Sequence, residues 1–405
     1  MSEVFGTPDK QEQLKQIVRE LHKGKGVLDL KKEFAAILDG LSAEEIASME
    51  QSLVDEGFSV ESIQNLCEIH VEVFEDELKK HKEEHMLPGH PIHTYRAENR
   101  ELEKRLTALE RLIKGLKRGK TEKKEALTAL EDLQQIEKHY QRKENQLFPK
   151  LEEIHFTGPT SVMWGKHDEI RTLFKECKEL LLSDASPQEI KKRGHALIKI
   201  MRTMIFMEEK ILFPTAIKKL DPIVWAHIYA EEREIGFSWI EPGSTWDPGI
   251  AIKRTAKLRA QEISEDTPPT ETIIPLKEGG LTNKQLNIML KNLPFDITYV
   301  DDQDSVRYYS ATDDRIFPRS PAIIGRKVEK CHPPKSVHIV KRIVESFKNK
   351  EKKKAMFWLN LGERKIMITY YALYDDSGAY AGVLEVSQDI TEIQSIEGER
   401  RLLDW

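Results

Sequence analysis

Two stretches of this chain carry acid groups, the first with an imidazole as well, and close on the same three residues. One runs from His139 through Lys143 and Glu144 to Leu147-Phe148-Pro149. The other runs from Met204 through Glu208 and Glu209 to Leu212-Phe213-Pro214. Between them lies His167, and ahead of them lie His90 and His93. At helical spacing, Leu130, Leu133, Ile136, Tyr140, Leu147, Leu151 and Ile154 form one apolar stripe, and Glu144 falls on it. Glu208 falls on the stripe of Ile190, Leu197, Met201, Met204 and Ile211. His167 falls on that of Met163, Ile170, Phe174, Cys177 and Leu181. A buried, unpaired carboxylate is costly and normally neutralises or finds a cation. Glutamates and a histidine converging on one layer most simply share a metal. Oxygen and nitrogen donors suit iron, manganese or zinc, and bridging carboxylates favour pairs of iron or manganese. Glu209 lies about 100° around the helix from Glu208, so it stands outside this set.

Other candidates are weaker. His81 and His85 have a zinc-compatible spacing but sit among Lys80, Lys82, Glu83 and Glu84, the composition of a solvated face. Cys67 and His70 have no second pair beside them, so a buried helix face is the simpler reading. Glu98 lies near the stripe of Leu102, Leu106 and Leu109 and is a reserve ligand. Lys143 places a cation beside the site.

These groups need elements to hold them. Residues 88–220 contain four long helical patterns, with breaks near Gly119, Gly158-Pro159 and Ser183 to Pro187. Short breaks between long helices predict an up-down-up-down four-helix bundle. Residues 8–80 read as a small helical domain. Within it, Ser42 begins a helix with Glu45 at capping-box spacing, and Ser59 begins another. A further helix and a Trp-rich cap (Trp225, Trp239, Trp246) follow the bundle. The Pro-, Gly- and Thr-rich stretch from Pro242 to Asn283, with Pro268-Pro269 at its middle, reads as a linker. Beyond it the pattern becomes α+β: a helix over 285–293, strands over 296–301 and 306–310, and a helix over 335–348. Strands over 355–361, 365–374 and 380–388 complete it, the last pair joined through Asp375 to Gly378. Residues 391–405 read as a short helix. The expected class is multidomain: a mostly α N-terminal part with the bundle, then an α+β sensor-like domain. The expected segments are 8–80, 86–220, 221–283, 284–392 and 393–405.

Composition narrows the partners. With 63 basic against 69 acidic residues the net charge is −6, so nothing argues for nucleic acid. No segment approaches the roughly 20 apolar residues that span a bilayer, and the N-terminus shows no secretory pattern. Three dispersed cysteines fit a reducing compartment. The expectation is a cytoplasmic protein with no membrane or nucleic-acid partner.

The stretch over 88–220 resembles the hemerythrin-like (HHE) cation-binding family. Its motif is a histidine on the first helix, His-x-x-x-Glu on the second, a histidine on the third and His-x-x-x-Glu on the fourth. The resemblance implies His90 or His93 as the first ligand, with His139, His167 and Glu208 following. Four residues after His139 stands Lys143, which moves the carboxylate role to Glu144. Four residues before Glu208 stands Met204, which removes one imidazole. The implied cofactor is non-haem iron, one or two ions, with manganese or zinc as alternatives. Residues 10–75 resemble an uncharacterised helical domain that precedes hemerythrin-like domains, through Glu50-Gln51, Glu56-Gly57 and Leu66 to His70. Residues 285–392 resemble a PAS domain through Leu293 to Asp301, Ile324 to Arg326, Cys331 to Pro334 and Gly382 to Thr391. That implies a sensor or dimerisation role, a pocket able to hold haem or a small molecule, and a homodimer through this domain. Cys331 and His332 have the chemistry to ligate haem iron, though Pro333-Pro334 also make them a turn into the next helix. The leading expectation is a sensor or regulator. In it, bundle metal responds to oxygen, nitric oxide or redox state, and the PAS domain relays the response to a protein partner. Its rivals are a diiron enzyme or iron donor acting on nitric oxide, peroxide or damaged clusters, and a bundle that binds no metal.

Overall fold

A computed structural model describes residues 8–22, 25–26, 29–30, 33–34, 42–58, 86–116, 120–249, 273–312 and 315–398. The helix expected from Ser59 with Cys67 and His70, the pair His81 and His85, Gly119, Pro268-Pro269, and Leu402 and Leu403 lie outside these residues. The chain divides into two compact units, Met1–Gln261 and Glu262–Trp405.

The first unit opens with α1 (Pro8–His22) and α2 (Ala43–Asp55). Ser42 and Glu45 form the reciprocal cap that their spacing predicts: Ser42 N–H donates to Glu45 Oε2 at 2.8 Å, and Glu45 N–H donates to Ser42 Oγ at 3.2 Å. Leu14, Ile17 and Val18 on α1 and Ile46, Met49 and Leu53 on α2 are buried in the same apolar cluster as the long helices that follow. This short segment therefore shares the bundle's core. Gln51 ties it down further, its Oε1 accepting the N–H groups of Thr157 and Gly158 at 2.7 Å each. Those donors start the next long helix and have no intrahelical acceptor of their own.

Four helical rods pack in a ring. The first is α3 (Pro91–Gly115). The second joins α4 (Lys120–Leu133), a 3₁₀ turn (Gln134–Ile136), α5 (Glu137–Arg142), a π turn (Lys143–Leu147) and α6 (Phe148–Glu153). The third is α7 (Gly158–Leu182). The fourth joins α8 (Pro187–Met207), a π turn (Glu208–Leu212) and α9 (Phe213–Lys219). The first and third rods each pack on the second and the fourth. The sequence predicts uninterrupted helices here, whereas the second and fourth rods each widen by one π turn. The reason lies in Pro149 and Pro214, which have no N–H and crowd the carbonyl four residues back. A widened turn ahead of each proline relieves both problems. Ser186 caps α8 with Glu189. After the rods, α10 (Pro222–Ile235) buries Trp225, and Trp246 N–H donates to Pro88 O at 2.8 Å.

The second unit is α+β. A hairpin of β1 (Ile273–Leu276) and β2 (Gly279–Thr282) occupies the end of the stretch read as linker; Gly279, at φ +101°, takes the chain out of the turn at Lys277 and Glu278. Thr282 then caps α11 (Asn283–Lys291) with Gln285. An antiparallel sheet follows from β3 (Asp296–Val300), β4 (Val306–Tyr309), β5 (Lys354–Leu361), β6 (Arg364–Tyr374) and β7 (Tyr380–Asp389), in the order β4-β3-β7-β6-β5. Between β4 and β5 runs α12 (Pro334–Lys348), whose Phe347 meets Val300, Val306, Ile323 and Val383 in a small core. Of the expected terminal helix, the described part is a 3₁₀ turn, Ile393–Ser395.

Candidate functional site

The two Leu-Phe-Pro endings place their polar groups in one layer of the bundle. Lys143 and Glu208 each open a π turn, and both are buried. Their repeats superpose residue for residue: His139 corresponds to Met204, Lys143 to Glu208, and Glu144 to Glu209. The layer is thus pseudo-symmetric in backbone and asymmetric in chemistry.

Lys143 lies at its centre. Its ammonium donates to Glu208 Oε1 and to His167 Nε2, the latter at 2.9 Å, and it lies 4.8 Å from the Tyr140 ring centroid. The other nitrogen of His167, Nδ1, faces Glu144 Oε1 at 2.7 Å. The neutral tautomer with hydrogen on Nδ1 satisfies both contacts: it donates to the carboxylate and accepts from the ammonium. Burial, followed by the cations Lys143 and Arg171, holds His167 well below the ordinary imidazole range. Tyr140 stacks on it at 4.3 Å.

His139 is placed differently. Its Nδ1 meets Glu98 Oε2 at 2.8 Å and its Nε2 meets Glu208 Oε2 at 3.1 Å. Both neighbours are carboxylate oxygens, which can only accept when ionised. Glu208 also accepts from Asn99 Nδ2 at 2.8 Å. Burial would raise the Glu208 carboxyl, but Lys143 and His139 outweigh it and hold the group well below the carboxylate range.

A second pairing extends the network. Arg142 donates to Glu98 and, at 2.9 Å, to Glu232 Oε1 of α10, while its guanidinium lies 4.8 Å from each of the Tyr95 and Phe237 rings. Glu98 Oε1 accepts the Ser238 N–H at 2.6 Å. Burial opposes ionisation of Glu98, yet Arg142, His139 and that N–H keep its pKa lowered. Glu232 has less help. Burial outweighs Arg142 and raises it to about 7, and its Oε2 has no hydrogen-bond partner among the described residues. On the solvent side, Arg171 pairs with Glu137 and Glu144 at 2.7 and 3.0 Å. Glu137, Tyr140 and Arg171 are among the residues lining a cavity of about 260 Å³ between the second and third rods.

The cluster therefore brings together His139, Glu144, His167 and Glu208 of the residues singled out from sequence, with the reserve Glu98. His90 and His93 are not in it. His90 caps α3, its Nδ1 accepting Ile92 N–H at 3.2 Å, and its ring packs on Trp225 and Trp246 at 5.1 and 4.8 Å. His93 is half-buried, and its Nδ1 has no hydrogen-bond partner among the described residues. Glu209 pairs instead with Arg96 and Asn99, at 3.1 Å each. Sequence reasoning missed Arg142, Asn99 and Glu232 as members. The i, i+3 spacing of His139 and Arg142 was the available signal for the first.

In the second unit, His332 lies with Val300, Val340, Ile343, Tyr370 and Glu385 around a cavity of about 30 Å³ between α12 and the sheet. That is room for about one water, far below the ~300 Å³ and more of a cofactor pocket, so a haem does not fit it. Burial lowers the His332 pKa against the pull of Glu385. Cys331 Sγ contacts Lys327 O at 3.7 Å.

Three segments of the chain match known protein families. Residues 14–80 match a family of unknown function, DUF438. Residues 90–216 match the hemerythrin HHE cation binding domain, and residues 286–391 match a PAS domain. The chain is a protein in which a DUF438 segment, a hemerythrin HHE domain and a PAS domain follow one another. No curated protein matches it. Among solved structures, the C-terminal domain of a protein from Streptococcus mutans is 34% identical, over 32% of this chain and 100% of its own, with a TM-score of 0.31. The PAS domain of a protein from Colwellia psychrerythraea is 19% identical, over 27% and 97%, with a TM-score of 0.22. A sensory box sensor histidine kinase from Vibrio cholerae is 15% identical, over 26% and 89%, with a TM-score of 0.21.

The HHE match suggests metal binding, and the donor atoms test that suggestion. Histidines backed by a carboxylate on Nδ1 are the arrangement that aims Nε2 at a metal. Here the inward lone pair of His167 and the Oε1 of Glu208 both go to Lys143. Among the described residues, no three or more His, Cys, Asp or Glu side chains are arranged to hold a metal ion. A bound cation does not fit the cluster as its side chains stand. No described helix is long and apolar enough to cross a membrane.

Proposed function

We propose that this chain is a sensory, regulatory protein and not an enzyme, with recognition and partner contact carried by its PAS unit. The observation that carries the reading is the surface of that unit. Edge strand β5 exposes Phe357, Leu359 and Leu361 on one face and Met356 and Trp358 on the other, and α11 exposes Ile288 and Met289. An edge strand apolar on both faces invites a partner, since isolated proteins normally blunt such edges. A second copy of the chain is the partner that the PAS resemblance implies. The finer reading, in which non-haem iron in the bundle senses oxygen, nitric oxide or redox state, has the HHE match behind it and the Lys143 pairings against it.

Turnover separates regulator from enzyme. Full-length protein, as purified and after addition of Fe(II), is given peroxide or nitric oxide, and consumption is followed against free iron alone. The regulatory reading expects no catalysis above the free-iron control. Sustained multiple turnover would replace it with the diiron-enzyme reading.

A further inference from the structure

We propose that the ammonium of Lys143 takes the place of the bound cation, so that this hemerythrin-type bundle is complete without a metal. The pseudo-symmetry of the repeats carries the argument. Lys143 occupies the position equivalent to Glu208, at the start of the same π turn and six residues before the equivalent proline. Exchanging a carboxylate for an ammonium shifts the charge of the layer by about two units, the charge that a ferrous ion would bring; burial lowers the Lys143 pKa, while Glu208 and Glu144 favour its charged form. The equivalent of His139 is Met204, which is buried and offers only a weakly ligating thioether.

The rest of the layer still has the form of a metal centre. His167 is backed by Glu144 and His139 by Glu98, while Glu208 extends between them. The ammonium meets the Nε2 of one histidine and the carboxylate that contacts the other. It is fully buried, and Tyr140 covers it. A metal ion entering here would have to displace a cation already hydrogen-bonded to the atoms it needs. An expelled ammonium would have no water at hand.

Two preparations test this. Wild-type full-length protein is purified with and without a chelator, then incubated anaerobically with Fe(II) or with Mn(II) or Zn(II), and passed through gel filtration. The proposal expects well under one metal per chain in every case, and a melting temperature that neither chelator nor metal moves. Retention of about one or two ions per chain, with a higher melting temperature, would overturn it. The second preparation is Lys143→Glu with Met204→His, which restores both repeats to the same chemistry. It is expected to hold metal through gel filtration and to melt higher with Fe(II) than without. A folded double variant that binds no more metal than wild type would show that Lys143 is not what closes the site. Should the double variant fail to fold, the wild-type metal content alone decides. Metal retention without turnover would sink this inference and leave the regulatory reading standing.

Discussion

At the scale of single residues, Glu232 is the group whose chemistry the cluster has moved in the least expected direction. It shares Arg142 with Glu98, which takes the better set of donors, so burial raises Glu232 to about 7. A carboxyl raised above its ordinary 4.5 contributes stability fully below about pH 4.5 and loses it as pH rises through about 7. The amount is up to roughly 3 kcal/mol, from the ~1.4 kcal/mol that accompanies each pKa unit. His90 works the other way. Burial lowers it to about 4, so its contribution is lost as pH falls from its ordinary 6.5. The net slope of the wild type therefore mixes opposing groups, and a variant isolates one of them. Glu232→Gln should gain stability relative to wild type as pH rises from 4.5 to 7.5. Urea unfolding of the two proteins across that range measures it, and parallel curves would show that Glu232 titrates normally.

At the scale of elements, backbone exceptions position the chemistry. The π turns at Lys143–Leu147 and Glu208–Leu212 set the facing of the residues that open them. In the PAS unit the exception is Gly382 on β7. It lies at φ +129°, and an added Cβ would collide with the carbonyl oxygen of Val300 on β3 and approach the Asp301 Cα to 3.1 Å. Its strand neighbour Val383 pairs with Val300 in the sheet and helps build the small core around Phe347. Gly382→Ala should therefore destabilise this unit by about 2–4 kcal/mol, through both strain and the displaced strand. Hydrogen exchange resolves it by segment: faster exchange is expected over residues 296–389, with the bundle unchanged. An equal loss of protection in both units would mean that they do not unfold separately.

At the scale of the whole molecule, the chain is two compact units with unlike cores. The first unites the N-terminal helices, the bundle and its Trp cap in one apolar cluster. The second has a small core and leaves apolar side chains on β5 and α11 in solvent. A second copy pairing through that surface would cover them. Trp358, 63% exposed, is the largest of these side chains. The expected state of the full-length protein is a dimer, and Trp358→Glu should weaken it at least about tenfold by placing a charge where an apolar contact forms. Sedimentation equilibrium reads this out. A monomeric wild type, or a dimer indifferent to the substitution, would direct attention to a different protein as the partner of this surface.

Much of this could be read in one dimension because the signals are local. Apolar period and turn chemistry marked the long helices and the strands. The Ser42–Glu45 cap formed as its spacing predicts, and the repeated Leu-Phe-Pro endings marked the positions where polar groups enter the bundle. The type of each group was also legible: His139, Glu144, His167 and Glu208 do share a layer. Tertiary structure alone decided what that layer is. Whether a carboxylate meets a metal or an ammonium depends on which side chains from separate rods arrive within about 3 Å, and Lys143 joins groups 24 and 65 residues away. Arg142 likewise meets Glu98 and Glu232, 44 and 90 residues distant. The π turns lay beyond a regular helical period, because the widening that brings Lys143 and Glu208 face to face changes the angle on which stripe reading rests. His90, capping a helix against two tryptophans, is the same residue type as His139 and His167 in the cluster. Only its neighbours in space, Trp225 and Trp246, set it apart from them.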